Sequence, residues 1–375
     1  MFNNQSHLHP GGSHVKDGFR FPKALVLGLA LSGMVLIACG DDDDDGADSA
    51  ATTAAGGADT TAAEETTTTV EPQTVTVMMF PGLSYRLPAL VAQEQGFLAD
   101  HGIEMEIIAQ PGNVSGIQGL EATGADLGYF SVTTLAQAVQ AGSDVAFFCG
   151  SQDIVETSLM VAADADFPST DEGASADEAL AALSGTSIGV QTPIGSGLQL
   201  FFNAAIEEEG VTDITYVNTG VQLPIVSAAL VNGDVDVVQT SPPATQQLIV
   251  DGQGKRIMFL PEDLDDYQLY GSANGAPRSF LEESPELARG WCDAIQEAVD
   301  WINDPANADA AAALLAEDSG VSEEVAALVV EESYPTFSTE IPEDTFDETT
   351  QRYIDLGVLQ PTPDVSYSAI VSIPE

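Results

Sequence analysis

Segments with the pattern of β-strands alternate with helical segments from residue 74 onward. Four short stretches rich in β-branched and aromatic residues end at turn residues, and they cover 74–80, 103–108, 125–130 and 145–149. The stretches 87–97, 114–124 and 133–142 lie between them and have helical patterns. This alternation predicts βαβ units and a mainly parallel sheet.

A second series repeats the alternation after an acidic loop around 164–178. Strands are predicted at 186–190, 214–217 and 235–238, with helices at 197–209 and 223–232. The rest is mostly helical, at 285–303, 307–317 and 322–333. Two α/β sets and a helical C-terminal tail, in about 300 ordered residues, predict two lobes rather than one core.

The N-terminal 38 residues have the pattern of a secretory signal. Lys16, Arg20 and Lys23 precede an apolar stretch over 24–38, which is short for a bilayer span. Cys39 follows Leu-Ile-Ala, and this junction resembles the bacterial lipobox. The resemblance implies that Cys39 receives lipid and tethers the chain to the extracytoplasmic face of the cell membrane. A plain secretory signal or an uncleaved anchor is the alternative.

Residues 39–72 have the composition of a linker. Five aspartates at 41–45 are followed by Ala, Thr, Gly and Glu, and no large hydrophobic residue precedes Val70. Such a segment cannot bury a core, so we expect a disordered tether between the lipid and the folded body.

Charge and residue usage exclude several functions. The formal net charge is −50, and only six of the nine Lys and Arg lie beyond residue 38, so nucleic acid is not an expected partner. His101 is the one histidine beyond residue 38, which leaves little for metal binding or Ser–His–Asp catalysis; no metal and no cofactor are expected. Cys149 and Cys292 form either a disulfide or two buried thiols.

Four phrases occur together in a fixed order. They are PALVAQEQGFL at 88–98 followed by HGI at 101–103, LEATGADLG at 120–128, LSGTSIGV at 183–190 and ALVNGDVD at 229–236. Together they resemble the substrate-binding lipoproteins of ABC importers, in the subgroup for sulfonates, nitrate, taurine and thiamine-precursor pyrimidines. The resemblance covers about residues 74–305.

This resemblance implies a two-lobed type 2 periplasmic-binding fold. One lobe would hold 74–165 and 264–375, and the other 166–263. A monomer would capture a small organic solute in the cleft between the two lobes and deliver it to an ABC permease with its ATPase. A tethered sensor or scavenger with the same fold and no transport partner is the alternative. An enzyme is not expected, because a related pyrimidine synthase would by resemblance need a cofactor lysine and clustered cysteines, and Lys255 is the one lysine beyond residue 38.

Ligands of open α/β sheets bind at the carboxyl ends of the strands. Polar residues in the corresponding loops are the predicted ligand contacts, although Ser, Thr and Asn also cap helices there. These candidates are Ser84, Tyr85, Arg86, Asn113, Ser131, Thr133, Thr192, Ser196, Asn218 and Thr240.

Arg86 is the most chemically specific of these candidates. A guanidinium can hold a carboxylate or sulfonate bidentately, and Arg278 is a weaker candidate of the same kind. The alternative for Arg86 is a surface ion pair with one of the many acids. The hydroxyl-rich loops equally favour a neutral or zwitterionic ligand, with Tyr85 stacking on a ring. Trp291 lies on the apolar face of a long helix, where we expect it in the core.

Overall fold

The fold is taken from a computed structural model that describes residues 72–109, 113–220, 222–264, 267, 269–333 and 336–374. The predicted signal sequence at 1–38, the lipid site Cys39 and the linker up to residue 71 lie outside the described residues.

The described strands form two five-stranded sheets. In chain order, the strands are β1 (Gln73–Met79), β2 (Ile103–Ala109), β3 (Leu127–Ser131), β4 (Val145–Gln152), β5 (Ser158–Ala162), β6 (Ser187–Val190), β7 (Thr215–Asn218), β8 (Val237–Thr240), β9 (Gly254–Phe259) and β10 (Ser272–Pro277). The first sheet has the order β2-β1-β3-β10-β4 and the second has the order β7-β6-β8-β5-β9.

Each sheet combines a parallel half with an antiparallel half. β1 is parallel to β2 and β3, as β6 is to β7 and β8. β10 runs antiparallel to β3 and β4, and β5 runs antiparallel to β8 and β9. β5 and β10 are the strands that reach their sheet directly from the other one. The sheets are therefore less uniformly parallel than the sequence pattern predicts.

The helices pack on the faces of the sheets and form the C-terminal part of the chain. In chain order they are α1 (Leu87–Glu94), α2 (Phe97–Asp100), α3 (Asn113–Thr123), α4 (Val132–Gln140), α5 (Ala176–Ala181), α6 (Gly197–Glu208), α7 (Leu223–Val231), α8 (Ala244–Val250), α9 (Leu260–Asp263), α10 (Arg278–Glu283), α11 (Pro285–Ile302), α12 (Ala308–Ser319), α13 (Glu323–Ser333), α14 (Glu343–Asp355) and α15 (Tyr367–Ile370). No helix in these described ranges is long and apolar enough to span a bilayer.

Two segments carry the chain between the sheets. The first crossing segment, 153–157, joins β4 to β5, and the second, 260–271, joins β9 to β10. β5 pairs only within the second sheet, so the chain leaves the first sheet after Gln152, earlier than the predicted boundary at 165. The division of residues between lobes otherwise stays a prediction.

The core of the first sheet is closed by α11. Trp291 is fully buried on this helix, as its apolar spacing predicts, together with Ala294, Ala298 and Ile302. A disulfide joins Cys149 on β4 to Cys292 on α11, with their Cα atoms 5.7 Å apart. The helix is therefore attached to the sheet both by apolar packing and by a covalent bond.

Candidate functional site

A cavity of about 180 Å³ lies where the two crossing segments meet strand ends from both sheets. The first sheet contributes the loop after β1 and the end of β3, and the second sheet contributes residues after β8 and the start of α6. Its lining consists of Phe80, Leu83, Ser84, Tyr85, Tyr129, Ser131, Val132, Gln152, Ile154, Val155, Glu156, Leu198, Ser241, Pro242, Tyr270, Gly271, Ser272 and Tyr353.

Two tyrosines form an aromatic stack in the wall. The Tyr85 and Tyr129 rings lie 3.6 Å apart between centroids, with 7° between their planes. The Phe80 backbone N–H donates to the Tyr85 hydroxyl at 2.7 Å, which fixes the loop after β1 against this ring. Because both rings are buried and held, they provide a rigid apolar surface for a ligand.

A chain of polar side chains extends from the hydroxyl of one of these tyrosines. The Tyr129 hydroxyl donates to Gln152 Oε1 at 2.7 Å and also contacts the Ser272 hydroxyl. Gln152 Nε2 in turn donates to Glu156 Oε2 at 3.1 Å. The network thus links β3, the end of β4, the first crossing segment and β10.

The electrostatics of the cavity follow from its burial. Removal from water raises the pKa of the Tyr129 phenol, and burial also raises the pKa values of Tyr85 and Tyr270. These hydroxyls are therefore neutral at neutral pH. Glu156, 7% exposed, is the one Asp, Glu, Lys, Arg or His among the described lining residues.

Three of the predicted contacts, Ser84, Tyr85 and Ser131, line this cavity. The Ser131 hydroxyl also contacts Thr134 Oγ1 at 2.9 Å and Thr133 Oγ1 at 3.3 Å. Thr133 itself is buried behind the wall, where its methyl group packs on Gly197 of α6. The start of α4, directly after β3, and the start of α6 are therefore in direct contact.

The predicted residues of the second sheet and its helices are not among the residues that line the cavity. The Thr192 and Ser196 hydroxyls are buried and have no hydrogen-bond partner among the described residues. Exposed Asn218 donates to the Thr192 carbonyl at 2.8 Å, and the Thr240 hydroxyl is buried against Thr245 at 2.8 Å. The side chain of Asn113 lies outside what the structure describes.

Arg86 is not among the residues that line the cavity. Its Nη1 lies 3.0 Å from Asp318 Oδ1, and the two side chains are only 9% and 15% exposed. Arg278 is likewise engaged elsewhere, since it donates to the Ala369 carbonyl at 2.7 Å and lies 3.6 Å from Asp144. In this structure Arg86 forms an ion pair, as in the alternative considered from the sequence, but a buried one.

Several lining residues are absent from the sequence-based candidates. Gln152 ends β4 and Glu156 follows it. The strand-end rule, applied to the first three strands of the first series, would have found both residues if it had been extended to the fourth strand. Tyr270 and Ser272 belong to the second crossing segment and β10, for which the pattern gives no strand signal. In the described part of the chain, no group of three or more His, Cys, Asp or Glu side chains is placed to hold a metal.

The two crossing segments touch backbone to backbone at Gly271. A Cβ atom there would lie 2.5 Å from the Ile154 carbonyl oxygen and 2.9 Å from that of Gln152. We therefore expect Gly271→Ala to separate the segments, to destabilise the protein by about 1–3 kcal/mol and to distort the cavity. Urea unfolding measures the loss of stability.

A matched control for this substitution is Gly290→Ala. Gly290 is also buried, but its nearest contact for a Cβ is a side-chain atom of His101 at 3.2 Å, and Ala favours the helix. A Gly271→Ala protein as stable as Gly290→Ala would contradict close contact between the crossing segments.

The fold is similar to that of solved periplasmic binding proteins. The periplasmic aliphatic sulphonate-binding protein SsuA from Escherichia coli superposes with a TM-score of 0.65 at 17% identity, covering 81% of this chain and 94% of that one. The alkanesulfonate-binding protein SsuA from Xanthomonas axonopodis pv. citri, bound to MOPS, gives a TM-score of 0.63 at 15% identity, covering 81% of this chain and 99% of that one. The periplasmic nitrate-binding protein NrtA from Synechocystis PCC 6803 gives a TM-score of 0.62 at 15% identity, covering 80% of this chain and 86% of that one. The predicted periplasmic-binding fold is confirmed.

The sequence also identifies the family. The NMT1-like family matches residues 68–316, which is more than half of the chain, so the protein belongs to the NMT1-like family. This confirms the family prediction. No curated protein matches the sequence.

Proposed function

We propose that the protein is an extracytoplasmic solute-binding lipoprotein that captures a small organic solute and delivers it to an ABC importer permease. The observation that carries this proposal is the cavity built from both crossing segments and from strand ends of both sheets. A solute bound there would contact both segments that carry the chain between the two sheets, so its binding would favour one relative arrangement of the sheets. The family and the binding proteins of similar fold support this proposal.

The proposed ligand contacts combine aromatic surface with hydroxyl groups. We assign Tyr85 to ring stacking and Ser84 and Ser131 to hydrogen bonding, with Tyr129 and Tyr270 completing the wall. Binding roles for the predicted residues outside the lining, namely Arg86, Asn113, Thr133, Thr192, Ser196, Asn218 and Thr240, stay predictions.

The proposal includes no catalysis. Lys255, the one lysine beyond residue 38, donates to the Phe167 carbonyl at 3.0 Å and to the Glu172 carboxylate at 3.2 Å. It is not among the residues that line the cavity. The proposed lipid on Cys39 and the acidic segment that follows it would hold the binding body near the membrane.

Recovery of a bound solute tests solute capture. The full chain is incubated with a mixed small-solute library, washed and analysed by native mass spectrometry, and we expect one stoichiometric small solute. Because a ligand stabilises the folded state by RT ln(1 + [L]/Kd), the recovered solute should also raise the melting temperature. A protein that retains no solute contradicts the proposal.

Transport is distinguished from sensing or scavenging by the partner. With the permease and ATPase encoded by neighbouring genes in proteoliposomes, the loaded protein should stimulate ATP hydrolysis more than the unloaded one. Solute binding without such stimulation favours the tethered sensor or scavenger.

A further inference from the structure

We infer that Glu332 on α13 is a positioning residue for solute binding, because it holds in place the cavity wall that the second sheet supplies. The inference rests on the proposed solute-binding function. Glu332 is not among the residues that line the solute cavity, so it acts through the wall rather than by touching the solute. The side chains that it holds are Gln246 on α8 and Arg256 on β9.

The helices α13 and α8 pack on different sheets and contact each other. On α13, Val329 and Val330 are buried in the same apolar core as Val77 of β1. On α8, Leu248 is buried in one cluster with Val238 of β8. The contact between the two helices therefore joins the two sheets at a place outside both crossing segments.

One carboxylate oxygen forms the polar part of this contact. Gln246 Nε2 donates to Glu332 Oε2 at 2.6 Å, and Arg256 Nη1 donates to the same oxygen at 3.4 Å. The Arg256 guanidinium is itself held by Asp171, whose Oδ2 lies 2.9 Å from its Nε. Glu332 therefore connects α13 to a helix and to a strand of the second sheet at once.

The burial of the Gln246 amide makes this contact matter for the arrangement of the helices. Gln246 is 2% exposed, and its Oε1 has no hydrogen-bond partner among the described residues. A hydrogen bond to a carboxylate is stronger than one between neutral groups, and a buried amide that loses it bears its full desolvation cost. Without the Glu332 carboxylate, the packed helices bury an unsatisfied amide, whereas separated helices expose it to water.

The contact reaches the solute cavity through the first turn of α8. Ser241 and Pro242 line the solute cavity and precede this helix in the chain. The Ala244 backbone N–H donates to the Ser241 carbonyl at 2.9 Å, which ties the wall to the helix. Pro242 also lines a neighbouring cavity of about 170 Å³, to which Gln246 and Glu332 contribute. The wall and the Glu332 contact are thus neighbours, and a shift of α8 shifts the wall.

Distances between spin labels on the full chain, measured by pulsed electron paramagnetic resonance, test this role without any solute. The labels are attached through p-acetylphenylalanine at exposed Glu286 on α11 and exposed Asp251 after α8, which leaves the cysteines unchanged. We expect Glu332→Ala to lower the population at the wild-type distance, relative to longer distances, at least about fivefold, because the lost hydrogen bond is charge-assisted. Glu332→Gln keeps an acceptor for the Gln246 amide and should recover part of that population.

Two matched variants separate this role from a general loss of charge. Glu331→Ala removes an exposed carboxylate from the preceding residue of α13. Glu172→Ala removes the ion-pair partner of Lys255, which is the neighbour of Arg256 on β9, and this pair does not involve α13. Both variants should keep the ratio of the two populations within about twofold of wild type, because exposed ion pairs contribute little.

Retention of solute from the mixed small-solute library connects the distances to binding. After the same wash, native mass spectrometry should find at least about fivefold less bound solute on Glu332→Ala than on wild type, and an unchanged amount on Glu331→Ala. Distances in Glu332→Ala that match those in Glu331→Ala overturn the inference, and so does a shift in distances with solute retention unchanged. If wild type retains no solute, the solute-binding proposal itself fails, whatever the distances, and the positioning role fails with it.

Discussion

Replacing Arg86 with alanine should cost the protein about 3–5 kcal/mol of unfolding free energy, because it leaves a buried carboxylate without its counter-charge. Asp318 is 15% exposed, and its Oδ1 lies 3.0 Å from the Arg86 guanidinium. This loss is a large share of the ~5–15 kcal/mol that stabilises a typical domain. Urea unfolding followed by circular dichroism measures it.

Two further variants identify the cause of this loss. Arg278→Ala removes an arginine whose ion-pair partner Asp144 is 82% exposed and whose guanidinium also donates to the Ala369 carbonyl, so we expect a smaller loss of about 1–2 kcal/mol. Adding Asp318→Asn to Arg86→Ala removes the isolated charge and should restore part of the stability. If Arg86→Ala lowers the unfolding free energy no more than Arg278→Ala does, the Arg86–Asp318 ion pair does not stabilise the fold in the way proposed here.

The same variant has a predicted pH dependence. Burial raises the pKa of Asp318 above its usual value, although Arg86 and the Gly82 backbone N–H act in the opposite direction. Without Arg86 the pKa rises further, so the folded variant binds a proton that the unfolded chain does not. The difference in unfolding free energy between Arg86→Ala and wild type should therefore become smaller as the pH falls through the raised Asp318 pKa toward the ordinary aspartate range. Melts at a series of pH values check this, and a constant deficit would contradict it.

The alternation of strands and helices predicted the parallel halves of both sheets well. β1 and β6 each start a series of amphipathic or buried strands that end at turns, and those signals are local. β5, β9 and β10 were missed. β10 has the sequence SANGAP, which lacks β-branched residues, and it forms a strand because β3 and β4 pair with both of its edges. Tertiary pairing of this kind has no local signature.

The site was predictable only where it follows the strand-end rule. Ser84, Tyr85 and Ser131 were found because each lies at or just beyond the carboxyl end of a recognised strand. Arg86 is adjacent to them in sequence, but the helical turn over Ser84–Arg86 directs its guanidinium to Asp318 on α12. Tyr353 comes from α14, far along the chain, and no spacing rule links it to a cavity.

Removing the disulfide should also destabilise the protein strongly. Cys149 and Cys292 are 143 residues apart, so the bond closes a long loop in the unfolded chain. Loop-closure entropy sets an upper value near ~5 kcal/mol, and we expect the Cys149→Ser/Cys292→Ser variant to lose about 2–5 kcal/mol. The unfolding free energy of wild type measured with a reductant should equal that of the variant. The reductant should leave the variant's own unfolding free energy unchanged.

The cross-link and Gly271 are expected to act on different states of the chain. A disulfide stabilises mainly by restricting the unfolded ensemble, so the double-serine variant should bind the recovered solute within about twofold of wild type. Gly271→Ala acts on the folded cavity, where its Cβ would press on the Ile154 carbonyl, and it should lose binding. Peptide mapping without reductant must recover Cys149 and Cys292 in one linked species. Two alkylated thiols would contradict the cross-link. A double-serine variant that loses binding as well as stability would mean that the bond also shapes the folded cavity.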